Sequence, residues 1–151
     1  MNGKIELFLK NKTVIHLDTA PIIYFIQEDR VYLPIVKEVF SRIDQGFISA
    51  ISSFITLIEL LVKPLEQKAY DLANRYRDLL VGSPWFTLYP VEQTVSEKAA
   101  ELRAKYGSGL KTPDAIQIAT AVSFGAQVFI TNDADLKKVK EIEILTLNEL
   151  M

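Results

Sequence analysis

Residues 111–139 read KTPDAIQIATAVSFGAQVFITNDADLKKV, and this stretch decides the fold class. Thr112-Pro113 opens a helix as N-cap and first helical position, where the missing proline N–H costs nothing. Apolar residues carry that helix to Phe124, and Gly125 stops it. Residues 127–131 (QVFIT) then form a short apolar strand, and two acids, Asp133 and Asp135, follow it directly. Helix, strand and carboxylate-bearing turn in one short run is the unit from which helix-covered sheets are built.

Moving outward, the same unit recurs. Residues 13–17 (TVIHL) read as a strand with Asp18 at its end, and a helix starts at Thr19 with Pro21 in its first turn. A second helix is expected over 34–45, with Ile35, Val36, Val39, Phe40 and Ile43 at helical spacing and Gly46 as its stop. Residues 47–50 (FISA) form the second strand; Ser52 or Ser53 caps a helix that runs to Lys63 and stops at Pro64. Residues 66–80 give a further helix, 85–91 a third strand and 92–106 another helix, broken by Gly107 and Gly109. A short helix from Ala134 and a last strand over 143–147 (EILTL) complete the chain. Strands alternating with helices predict an α/β fold, a three-layer α/β/α sandwich with a mostly parallel central sheet. No repeat, low-complexity tract or Pro/Gly/Ser linker divides residues 1–151, so one domain with its core over about 13–147 is expected.

Composition narrows the chemistry. The chain has 151 residues and no cysteine, which removes disulfide frameworks, zinc fingers, iron–sulfur sites and thiol nucleophiles. Its longest apolar run, 54–62, is interrupted by Glu59 and falls far short of a bilayer span. The N-terminal MNGKIELFLKNK lacks a signal peptide's continuous apolar core, so a cytoplasmic protein is expected. A net charge of −2 argues against binding nucleic acid by bulk electrostatics, though a local basic rim is compatible with it. The chain has a single histidine and contains no GxxxxGK[ST], GxGxxG or GxSxG motif. His16 lies within an apolar strand and reads as structural.

Four carboxylates remain. Asp18 and Asp133 follow strands, Asp114 lies in the first turn of a helix, and Glu59 is the lone charge in FITLIELLV. Asp18, Asp114 and Asp133 each have an alternative role at a helix N-terminus. Glu59 is different: a helix apolar on nearly every side is expected to be buried, and a carboxylate there needs a partner or a cation. In parallel sheets the ligand crevice lies beyond the carboxyl ends of the strands, where these acids would meet. An all-oxygen donor set suits a hard cation, Mg²⁺ or Mn²⁺. Asp18 and Asp114 are expected to be direct ligands, with Asp133 completing the cluster and Glu59 ligating a second ion or orienting the attacking water.

These residues also resemble a known family. HLDTAPIIYF is similar to the opening strand and helix of PIN domains, whose first acid falls on Asp18. SSFITLIELLVKP resembles their second motif, with Glu59 as its acid. The 111–139 stretch resembles the closing half, placing the third acid at Asp114 and the fourth at Asp133, with Asp135 as a substitute or helper. The resemblance implies a metal-dependent nuclease acting on RNA, most like the VapC-type toxins of toxin–antitoxin pairs. It also implies a homodimer and a small protein antitoxin that covers the acidic site and an early-helix groove. Ile22, Ile23, Tyr24, Phe25, Ile26, Val31, Tyr32 and Leu33 could line that groove, and Arg103, Lys105, Lys111, Lys137, Lys138 and Lys140 are candidates for RNA phosphates. The alternatives are a PIN-like module that binds RNA or protein without cutting, and a DNA-cleaving nuclease of related fold. A dehalogenase-like phosphatase is set aside, because its second acid would fall on Ala20.

Overall fold

A computed structural model describes residues 3–151. Its centre is a five-stranded sheet made of β1 (Val14–Leu17), β2 (Ser49–Ser53), β3 (Phe86–Tyr89), β4 (Val128–Thr131) and β5 (Glu143–Thr146). The strand order is β3-β2-β1-β4-β5, and every neighbouring pair is parallel. Seven helices accompany it: α1 (Gly3–Leu9), α2 (Thr19–Ile26), α3 (Leu33–Asp44), α4 (Phe54–Glu66), α5 (Tyr70–Val81), α6 (Gln93–Tyr106) and α7 (Thr112–Ser123). The expected α/β sandwich is present.

Strand alternation sorts the core into two layers, because successive side chains leave opposite faces of a sheet. Ile15, Leu17, Ala50, Val128, Ile130 and Leu145 pack with apolar residues of α1 to α5. Phe129 and Ile144, the residues between, pack on the other face with Val95, Ala99 and Leu102 of α6 and Ala115, Ile118 and Ala119 of α7. Both faces being covered explains why all of β4 is buried and reads as an unbroken apolar run.

The strand order also locates the crevice. From β1 the chain winds outward through β2 to β3, then returns to lay β4 on the other side of β1. The carboxyl ends of β1 and β4 therefore flank a topological switch point, where the connections diverge and leave a gap.

Several boundaries differ from expectation. β2 runs over Ser49–Ser53 rather than 47–50, and Phe47 is exposed. Its serines are interior: the Ser52 hydroxyl donates to the Leu17 carbonyl at 3.0 Å and lies 2.7 Å from Thr56 Oγ1. α4 does not stop at Pro64 but carries it in its last turn and ends at Glu66, where left-handed Lys68 (φ 55°) turns the chain. α5 consequently starts at Tyr70, later than the expected 66. Lys111 is the N-cap of α7 and Thr112 its first residue, one position earlier than expected. The segment after β4 is a short 3-10 helix, Ala134–Lys138. α1 was not anticipated, because its short apolar pattern is interrupted by Lys4 and Glu6.

Candidate active site

Asp18 follows β1 and adopts an extended backbone as the N-cap of α2. Its Oδ1 accepts from the Thr19 N–H at 2.8 Å, and its Oδ2 accepts from the Thr131 hydroxyl at 2.7 Å. The same Thr131 oxygen, at the end of β4, accepts from the Asp133 N–H at 3.0 Å. One hydroxyl thus ties the ends of β1 and β4 together and links Asp18 to the Asp133 turn. Asp133 in turn caps the following 3-10 helix through the Asp135 N–H at 3.0 Å. The capping role weighed for Asp18 and Asp133 is real, and it holds both residues at the switch point.

Electrostatics place Glu59 and Asp114 in the same neighbourhood. Burial raises the Asp18 carboxyl, its bonds from Thr131 and Thr19 pull it back, and the Asp133 charge raises it further. Asp114, in the first turn of α7, is raised by burial and then by Asp18 and Asp133, against the lowering pull of Lys111 and Lys138. Glu59 is raised by burial of its carboxyl end and by Asp18; Gln117 lowers it, and Asp114 pushes it up again. Asp18, Glu59 and Asp114, from three separate elements, therefore each lie close enough to another acid to have their ionisation opposed.

The reason given for Glu59 from sequence needs correction. α4 is not enclosed: Phe54, Ile58, Val62 and Leu65 are exposed, and Glu59 itself lies on an exposed flank. Its carboxyl is raised by local burial and then by neighbouring acids, not by an apolar sleeve around the whole helix.

Polar residues that sequence reading passed over support the acids. Gln117 is buried and its amide donates to Thr56 Oγ1, within the network that includes Ser52. It stands three residues after Asp114, on the same helical face, which was the available signal. Thr131 closes an apolar strand two residues before Asp133, again a visible position. His16 is fully buried and stacked on Phe129 at 4.5 Å between ring centroids. Neither of its nitrogens has a hydrogen-bond partner, and burial drives its pKa down to about 3, with neighbouring Gln117 opposing the shift. A neutral ring packed this way belongs to the core.

The donor chemistry fits a hard divalent cation. All four acids present oxygen, and one further oxygen beside them, Asn132 Oδ1, is buried without a hydrogen-bond partner among the described residues. The side chains are not drawn together into a closed set: no group of three His, Cys, Asp or Glu residues is arranged to hold a metal among the described residues.

Around the acids, the expected apolar groove is only partly open. Ile22 and Ile26 are core, whereas Ile23, Tyr24, Phe25, Tyr32 and Leu33 are half-buried and Val31 is exposed. Tyr24 stacks on Tyr32 at 4.7 Å, and the Asn132 amide donates to the Tyr24 hydroxyl at 3.0 Å, joining this aromatic rim to the turn before Asp133. A separate concavity of about 680 Å³ lies on α3, and none of the four acids lines it.

Comparison with solved structures finds the same fold in toxin–antitoxin assemblies. A chain of a toxin–antitoxin complex from Klebsiella pneumoniae superposes with a TM-score of 0.64 at 25% identity, covering 88% of this chain and 97% of that one. A chain of the DNA-bound VapBC from Salmonella typhimurium gives 0.70 at 19% identity, covering 89% and 98%. A chain of VapBC2 from Rickettsia felis, bound to a DNA fragment from its promoter, gives 0.68 at 13% identity over the same shares. No protein of curated function matches the chain. The family model described as PIN domain matches residues 15–142. That stretch takes in all four acids and, Val14 apart, every strand but the last, and the chain belongs to the PIN-domain family of nucleases.

Proposed function

We propose that this protein is a Mg²⁺- or Mn²⁺-dependent endoribonuclease, the toxin half of a toxin–antitoxin pair acting in the cytoplasm. The observation that supports the reading is the tie between Asp18 and Asp133 through Thr131 at the switch point of a PIN-family sheet, with Asp114 and Glu59 near enough to feel the Asp18 charge.

Asp18 and Asp114 would hold the ion directly, with Asp133 steadied beside them through Thr131. A divalent cation bound there supplies an activated water and neutralises charge on the phosphodiester. Thr131 and the Thr19 N–H fix the Asp18 carboxylate, so its orientation is set before substrate arrives. Glu59, raised by burial and then by its acidic neighbours, is suited to take the proton of the attacking water. Water oxygen bonds to phosphorus, the bond from phosphorus to O3′ breaks, and the departing oxygen takes up a proton. The ends left are a 5′-phosphate and a 3′-hydroxyl.

The partners follow from what is exposed. Phe54, Ile58, Val62 and Leu65 recur along one side of α4 and support a second copy of this chain as its cover. The half-open rim of Ile23, Tyr24, Phe25 and Tyr32 supports an apolar antitoxin segment laid over the acids. The likeness at 25% identity to a chain of a toxin–antitoxin complex favours the toxin assignment. No helix among the described residues is long and apolar enough to cross a membrane.

The test is cleavage of an end-labelled RNA panel with Mg²⁺, Mn²⁺ or EDTA, beside an Asp18→Asn/Asp114→Asn double variant. Metal-dependent cutting to 5′-phosphate ends, abolished in the variant, is the expected result. The open arrangement of the acids favours one second reading, a PIN module that binds without cutting. Absence of Mn²⁺ binding by calorimetry would select it.

A further inference from the structure

A site built from carboxylates repels the polyanion it is meant to cut, so cations must hold the strand at its rim. Six basic residues lie near Asp114 and Asp133 in sequence, and their contacts divide them. Lys105 is paired with Glu141 at 3.2 Å, and Lys137 is paired with Glu149. Arg103 Nε donates to the Leu110 carbonyl at 3.0 Å, and Lys140 Nζ donates to the Lys137 carbonyl at 3.0 Å.

Lys111 and Lys138 differ from Arg103 and Lys140 in place, not in pairing: Lys138 crosses from the turn after β4 to the turn that leads into Lys111 and α7. Lys111 is the N-cap of α7, exposed, three residues before Asp114. Lys138 comes from the turn after β4 and reaches across to the Gly109 carbonyl at 2.8 Å, on the turn that leads into Lys111. Gly109 makes room for that reach: a Cβ there would stand 2.9 Å from the Lys138 ammonium. Neither lysine has a carboxylate at ion-pair distance among the described residues. Two lysines from separate elements thus meet at the N-terminus of α7: Lys138 is fastened to the turn two residues before Lys111, and Lys111 stands three residues before Asp114.

Resting on the ribonuclease reading, we propose that Lys111 and Lys138 are the phosphate-holding pair of this site. Each receives one backbone phosphate of single-stranded RNA next to the phosphate that is cut. Lys105 and Lys137, already held by Glu141 and Glu149, take no share.

The experiment measures binding of a fluorescein-labelled single-stranded RNA of mixed sequence by anisotropy, from 50 to 200 mM salt. An Asp18→Asn background prevents cutting. Each phosphate contact on a single strand contributes about −0.7 to the slope of log affinity against log salt. Lys111→Ala or Lys138→Ala should each make the slope shallower by about 0.7, and the pair by about 1.4. That loss corresponds to about 2.6-fold less salt sensitivity per lysine over the fourfold salt range. Arginine at both positions should restore the slope, separating charge from a folding defect, and Lys105→Ala and Lys137→Ala should leave it unchanged. In the cutting-competent protein, the double alanine variant should raise KM and keep kcat. A wild-type slope in the double variant with cleavage intact overturns the pair alone, as does an equal loss in the Lys105 and Lys137 controls. If no version binds RNA even at 50 mM salt, the ribonuclease reading falls together with the pair.

Discussion

Asp18 carries two duties that pull in opposite directions. As N-cap it stabilises α2, yet burial and the Asp133 charge raise its pKa, so its ionised form weakens the fold at neutral pH. A group whose pKa is higher folded than unfolded detracts from stability above that pKa and ceases to do so as pH falls through it. Asp18→Asn, which keeps a good capping side chain, should therefore raise the melting temperature of the metal-free protein at pH 7.5. Added Mn²⁺ should reverse the ranking: the wild type gains about 2.7 kcal/mol at a hundredfold excess over Kd, while the variant gains little, as read by calorimetric unfolding. Thr131 supports Asp18 without touching substrate, so Thr131→Val should weaken Mn²⁺ affinity about tenfold or more, measured by titration calorimetry. His16 tests the core instead. Its pKa falls from 6.5 to about 3 on folding, so the unfolded chain binds the extra proton between those values. The neutral ring's contribution is fully present above pH 6.5 and is lost as pH falls toward 3, at about 1.4 kcal/mol per pH unit. Subtracting the profile of His16→Leu from that of wild type, by urea unfolding between pH 7.5 and 4.5, should isolate this slope. Coincident profiles would refute it.

At the scale of elements, α4 shows both what the sequence discloses and what it hides. Its apolar letters announce a helix but do not say which of them face the core. Leu60 and Thr56 point inward, while Ile58 and Val62 face outward. Reading the helix as buried all round mistook an exposed apolar stripe for core. Its end was misplaced because proline disfavours helix in the residue before it, whereas here Pro64 is buried and the chain turns only at Lys68. β2 was set early for a related reason: Ser53 does cap α4 through the Ile55 N–H, but it also ends the strand, and Ser52 is spent inside the protein on Leu17 and Thr56. Where polarity and burial agree, as in β1, β4 and α7, the elements were legible to within a residue or so. The exposed stripe makes its own prediction. Ile58→Lys should leave the fold intact by circular dichroism and weaken self-association by about thirtyfold, the scale of a central interface residue, as measured by sedimentation. A wild type that is monomeric at every concentration would remove α4 as a self-association face.

For the whole molecule, the order β3-β2-β1-β4-β5 matters more than any single acid, because it places the ends of β1 and β4 side by side. That adjacency cannot be read from local pattern. It was inferable only from the rule that parallel sheets keep their crevice where the winding reverses. Once the strands are set, acids far apart in sequence come near enough for the charges of Asp18 and Asp133 to raise Asp114 and that of Asp18 to raise Glu59. The net charge of −2 is then no obstacle to an RNA substrate, since Lys111 and Lys138 supply local positive charge beside Asp114. The most direct measurement is the rate of cutting of one labelled RNA as Mn²⁺ is titrated, set beside the Mn²⁺ binding isotherm of the same protein. Rate and occupancy should rise together, and both should vanish in Asp18→Asn/Asp114→Asn. Cutting that persists in EDTA, or survives in the double variant, would contradict a metal-dependent nuclease centred on these acids.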